Sequence, residues 1–136
     1  MCIAAGHHKH PLKRIEGKAR STWFLPHSTP VAARKQWIAG TLKPAGSVHI
    51  DDGALQALRN GRSLLPAGVT QTQGAFAAGD TVSVLNGSGI EVARGIAAYS
   101  DADTRRIMGR KSADIESILG ARSRSELIHR DDLVIL

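Results

Sequence analysis

Aromatic side chains are scarce in this sequence. They make up 4% of its 136 residues, against 42% apolar residues overall, so any core must be aliphatic. The single cysteine, Cys2, excludes an internal disulfide and a cysteine-ligated metal cluster. No apolar run approaches the roughly 18–20 residues that a membrane-spanning helix needs. Met1–Ala5 is too short for a signal-peptide core and has no basic segment before it, so a cytoplasmic protein is expected. Acidic residues are nearly absent from the first third. Residues 1–43 carry Glu16 alone against eight Lys and Arg, a balance of +7. Residues 44–136 carry ten basic and eleven acidic side chains, a balance of −1. The whole excess of +6 therefore lies in the leader, and the remainder has no general attraction for phosphate.

Met1–Ala5 has the small apolar texture of a buried strand, yet no second strand-like run follows it closely. Residues 7–28 are basic, His-rich and broken by Pro11, Gly17 and Pro26, with room for a short helical piece from Leu12 to Glu16. Thr29 can cap a helix that has Pro30 at its first position, where a missing N–H costs nothing, and Gly40 stops it. Lys43–Gly46 is a connector. Val48 and Ile50 alternate with polar residues as in a half-buried strand. Asp51-Asp52 can cap a helix carrying Ala54, Leu55 and Leu58, closed by Asn60-Gly61. Arg62 to Val69 is apolar, but Pro66 and Gly68 forbid a regular central strand. Thr81–Leu85, the turn Asn86-Gly87-Ser88-Gly89 and the run from Ile90 to Tyr99 read as a hairpin. Short helices are expected over Asp103–Met108 and after Ser112, the second one placing Ile115, Ile118 and Leu119 on one face and ending at Gly120. Ser123 and Glu126 have capping-box spacing. Leu133–Leu136 closes the chain as an apolar strand. Short strands, frequent turns and few helices predict a mainly β fold with small helices, a partly closed barrel.

Few motifs carry chemistry. His7, His8 and His10 lack a second ligand cluster to complete a metal shell. His129-Arg130-Asp131 matches part of a protein-kinase catalytic loop, but the metal-holding Asn that should follow is replaced by Leu136. The Asn86–Gly89 turn has neither the lysine nor the helix of a phosphate loop. Cys2 has no neighbour that would activate a thiolate. Two recognition elements remain: the loop from Arg62 to Val69, and the basic helix with Arg34, Lys35 and Trp37. The competing reading of that helix is an interdomain element with Trp37 and Ile38 buried.

Five segments then carry a family resemblance in their order and spacing: Thr29–Gly40 (TPVAARKQWIAG), Ser63–Val69 (SLLPAGV), Arg105–Ser112 (RRIMGRKS), Glu116–Gly120 (ESILG) and His129–Leu133 (HRDDL). Across nearly its whole length the chain resembles the C-terminal part of bacterial glutamate 5-kinases. The resemblance implies two parts. Residues 44–136 would be a PUA domain, a pseudo-barrel of about six strands with small helices. Residues 1–43 would be the end of an amino-acid-kinase domain plus a linking helix. Met1–Ala5 would then be the edge of a sheet whose other strands lie elsewhere, and would be disordered, folded back or paired with another copy. The segments Gly6–Arg20 and Trp23–Pro26 depart from the family pattern.

The resemblance also implies what this chain does not do. In that family ATP, Mg²⁺ and glutamate bind in the amino-acid-kinase domain, and none of its catalytic motifs maps onto these residues. The parent enzyme phosphorylates the γ-carboxylate of glutamate, in the first step of proline biosynthesis. This chain alone would be a non-catalytic module with no cofactor or metal of its own. Its role would be regulatory or structural, with the kinase domain as partner and Arg34, Lys35, Trp37 and Ile38 as docking residues. A homo-oligomer is left open, as is an orphan fragment without a role. The alternative is RNA binding. PUA domains elsewhere use the first helix, the loop after it and the last strand, here Asp51–Asn60, Arg62–Val69 and Arg130–Leu136. The candidate contacts are Arg59, Arg62, Leu64, Pro66, Gly68 and Arg130. Against it stand Asp51, Asp52, Asp131 and Asp132, and the absence from these regions of aromatic side chains on which bases could stack.

Overall fold

The computed structural model describes residues 1–25, 29–40, 43–120 and 124–136. The chain begins with strand β1 (Cys2–Ala4), helix α1 (Pro11–Glu16) and strand β2 (Ser21–Trp23). Contrary to the sequence expectation, β1 has a nearby partner: it pairs antiparallel with β2, Cys2 opposite Trp23 and Ala4 opposite Ser21. Ser-Thr-Trp is β-prone but too short to show alternation, which is why the pairing was not legible. No residue from 1 to 25 is buried, and Ile3, Trp23, Phe24 and Leu25 stand exposed.

Helix α2 (Pro30–Ala39) forms as its punctuation dictates. Thr29 Oγ1 accepts from the Ala32 N–H at 3.2 Å, Pro30 opens the helix, and Gly40 is its C-cap. Of the pair expected to be buried together, only Ile38 is, at 0% exposure, while Trp37 remains 62% exposed. Adjacent helix positions point about 100° apart, and here only Ile38 points inward.

The main sheet holds β3 (Gly46–Ile50), β4 (Val69–Gly74), β5 (Thr81–Leu85), β6 (Glu91–Ile96) and β7 (Leu133–Ile135), in the order β4-β3-β5-β6-β7. β3 runs parallel to β5, and every other neighbouring pair is antiparallel. A bridge between Leu64 and Ile128 adds a further closure outside the five strands. The core is aliphatic as composition requires: Val48, Ile50, Val82, Val84 and Ala93 from the sheet meet Leu58, Ile107 and Ile115 from the helices. β4 had no sequence signature, because only Val69 of its six residues is buried.

Helix α3 (Asp52–Arg59) is capped by Asp51 as expected, Oδ1 accepting from the Ala54 N–H at 2.7 Å. Helix α4 (Asp101–Ile107) starts earlier than its sequence suggests, because Ser100 Oγ accepts from the Asp103 N–H. Helix α5 (Ile115–Leu119) ends at Gly120 in the left-handed region, φ 73°. Ser112 does not cap it. A 3-10 turn over Ser112–Asp114 intervenes, and Ser112 Oγ donates instead to the Ser125 carbonyl. Ser123 of the capping-box pair lies outside the described residues, and Glu126 is not in a helix.

Candidate nucleic-acid interface

Helix α3 and the loop after it enclose a groove of about 420 Å³, lined by Asp51, Ala54, Ala57, Arg62, Leu65 and Ala67 among others. Its geometry follows from local chemistry. Gly61, at φ 72°, turns the chain sharply after the Asn60 cap. Pro66 opens a 3-10 turn over Pro66–Gly68, and the Gly68 carbonyl accepts from the Asp51 N–H at 3.0 Å. That bond folds the loop back onto the start of α3.

Not every candidate residue faces this groove. Arg59 and Arg62 are exposed, and neither forms an ion pair among the described residues. Leu64 is 1% exposed and Pro66 is buried, so both frame the groove rather than offering side-chain surface to a ligand. Gly68 supplies backbone at the wall. Arg130 sits exposed on a 3-10 turn over Arg130–Asp132, whose first N–H donates to Ser63 Oγ at 3.0 Å. The three regions are thus neighbours in the fold.

Two carboxylates counted against the arginines are engaged. Asp51 caps α3, and Asp132 pairs with Arg34 Nε at 2.6 Å. One basic pair was missed: the Gly109 N–H donates to the Pro66 carbonyl at 2.9 Å, which brings the chain leading into exposed Arg110 and Lys111 beside the groove loop, although neither residue lines the groove. Their distance from the loop in sequence hid them. A long-range backbone bond, not a local pattern, places them there. Aromatic side chains remain absent from these regions.

The residues on α2 divide. Ile38 is buried and Arg34 is engaged with Asp132, so both face the five-stranded sheet's side of the helix, while Trp37 is exposed and Lys35 is half-buried. Arg94 reaches across from β6, its Nη1 donating to the Ala39 carbonyl at 3.2 Å at the C-terminal end of α2. Arg94 also donates to Glu91 through Nε at 2.7 Å and Nη2 at 3.1 Å, and Ser83 Oγ donates to the same carboxylate. The Arg94 hydrogen bond holds the Glu91 carboxyl below the ordinary glutamate range, against the opposing effect of burial, and Glu91 in turn raises Arg94.

The remaining motifs carry little. The His7 and His8 rings lie 4.0 Å apart, tilted by 45°, and no group of three or more metal-ligating side chains occurs among the described residues. His129 Nδ1 accepts from the Asp131 N–H, so His129-Arg130-Asp131 forms a terminal turn. No helix among the described residues is long and apolar enough to cross a membrane.

Residues 46–119 match the family described as PUA domain. The chain is 58% identical over 135 residues to a glutamate 5-kinase of Sinorhizobium fredii, covering 99% of this chain and 34% of that protein. It is 59% identical to the glutamate 5-kinase of Paramagnetospirillum magneticum, again over 99% of this chain and 36% of that protein. The match lies in the C-terminal part of these proteins, and the chain spans about a third of the length of the curated relatives it matches. Among solved structures, a PUA domain from Aeropyrum pernix K1 in a tartrate complex is 28% identical, with a TM-score of 0.46, over 63% of this chain and 43% of that one. A chain of the archaeal box H/ACA sRNP Nop10-Cbf5 complex is 22% identical, with a TM-score of 0.45, over 68% of this chain and 23% of that one.

Proposed function

This chain belongs to the PUA domain family, and from that premise we propose that it is the non-catalytic module of a glutamate 5-kinase, acting by docking onto the rest of such an enzyme. The observation that carries this reading is the leader. Residues 1–25 bury no side chain, yet they expose Ile3, Trp23, Phe24 and Leu25. A three-residue ribbon cannot offset the conformational entropy of its own ordering without a surface to cover it. The high identity to enzymes about three times as long supports the rest of such an enzyme as that surface. ATP, Mg²⁺ and glutamate would bind to the partner. This chain's part is regulatory or structural.

The test mixes the full chain with a glutamate 5-kinase polypeptide cut back to exclude the matching region. Association and ATP-dependent phosphorylation of glutamate are then measured. A complex that forms with the native chain but not with a Trp23→Ser, Leu25→Ser variant, and no turnover by the chain alone, supports the reading. Turnover by the chain alone, or no complex, overturns it.

One observation favours a second reading, RNA binding. Arg62 lines the groove, and the bond from Gly109 to Pro66 brings the chain leading into Arg110-Lys111 beside the same loop, a grouping of basic residues that charge counting along the sequence did not reveal. Phosphate contacts release counterions, so affinity for a structured RNA should fall steeply with salt. Arg62→Ala with Lys111→Ala should weaken it and make the slope shallower. Equal binding by this variant sinks the second reading.

A further inference from the structure

We propose that α2 is a switchable strap whose latch is the Arg34–Asp132 pair, and that the state of the groove sets this latch. Its support is a continuous series of contacts. Ser63 lines the groove, and its Oγ holds the Arg130 N–H at 3.0 Å. The Leu64 N–H donates to the Ile128 carbonyl at 2.9 Å, and the Leu127 N–H donates to the Leu64 carbonyl at 2.8 Å. The groove loop and residues 127–132 therefore move together. Asp132 ends the 130–132 turn, and its side chain, 16% exposed, meets Arg34 Nε at 2.6 Å. There is little slack on the other side. A Cβ on Gly95 would stand 2.5 Å from Ile128 Cγ2 and 3.0 Å from the Asp132 carbonyl oxygen, so the segment lies flush on β6.

The two ends of α2 are held unequally. Its C-terminal end is fixed by fully buried Ile38 and by Arg94 on the Ala39 carbonyl. Its N-terminal half buries no residue, and Arg34 supplies its ion pair to the sheet side. A pair in which one partner is half exposed weights an equilibrium about fivefold at most. Docked and released forms of that half are therefore both within reach of small displacements. Anything that shifts Arg62–Leu65, whether a groove ligand or a docked protein, shifts Asp132 and reweights the strap. The inference holds whatever fills the groove, so it stands or falls apart from the function proposed above.

Amide hydrogen exchange on the full chain tests it, reading residues 34–37 of α2 with the β5 amides of Thr81–Leu85 as reference. Arg34→Gln should speed α2 exchange about three- to fivefold and leave β5 unchanged. Ser63→Ala, remote from α2 in sequence, should speed it in the same direction. The double variant should gain no more than the faster single one, because both cut one connection. Asp132→Asn should reproduce Arg34→Gln. The inference is overturned if Ser63→Ala leaves α2 unchanged, if the two effects multiply, or if β5 accelerates by the same factor.

Discussion

Gly68 lies so close to Ala54 that a Cβ built on it would stand 2.4 Å from the Ala54 Cβ. The wall of the groove is thus a contact between a loop backbone and one face of α3. Gly68→Ala must push the loop off the helix. It should cost about 1–3 kcal/mol, the usual range for overpacking, read as a lower urea midpoint at unchanged slope. Ala54→Gly in the same chain should recover part of the loss beyond its own helix-propensity cost. If the double variant is simply additive, the two residues do not touch as described.

Ile38 makes α2 part of the folded unit. Its burial at 0% exposure predicts that Ile38→Ala costs about 2–5 kcal/mol in chemical denaturation. Val31→Ala on the same helix, 46% exposed, should cost no more than about 0.5 kcal/mol. Equal losses from both variants would mean that α2 does not pack on the sheet through Ile38.

Glu91 and Arg94 make stability depend on acid. The folded Glu91 carboxyl is held below its ordinary range by Arg94, so the unfolded chain takes up that proton first. The contribution is complete above the ordinary glutamate range and is lost as pH falls through the depressed value. Glu91→Gln should therefore lower stability at neutral pH and flatten its decline in acid. An acid limb as steep as the parent's would assign that decline to other carboxyls.

His49 carries a buried Nε2 with no hydrogen-bond partner among the described residues. A buried polar atom left unpaired costs about 1–3 kcal/mol. His49→Leu removes that cost at similar volume, so it should hold or raise the melting temperature. A clear drop would show that Nε2 has a bridging water or a partner in solution.

Much was legible in the sequence because punctuation and periodicity act locally. Thr29-Pro30 and Gly40 bounded α2, Asp51 capped α3, Asn86–Gly89 turned the hairpin, and alternating Val and Ile marked β3 and β5. The shortage of aromatics determined that the core is aliphatic. The family resemblance rested on motifs in sequence order, so it too needed no coordinates.

Tertiary structure alone decided the rest. β4 is nearly all polar and exists because β3 offers it an edge. β2 is three residues long and exists because β1 lies opposite. The hydrophobic pattern of α2 did not say which of Trp37 and Ile38 turns inward, because that depends on where β6 and β7 stand. Arg110 and Lys111 come beside the groove loop only because Gly109 bonds to Pro66, and Arg34 finds Asp132 across most of the chain. Such pairings cost loop closure and are repaid only when the whole sheet assembles, so no local stretch of sequence records them.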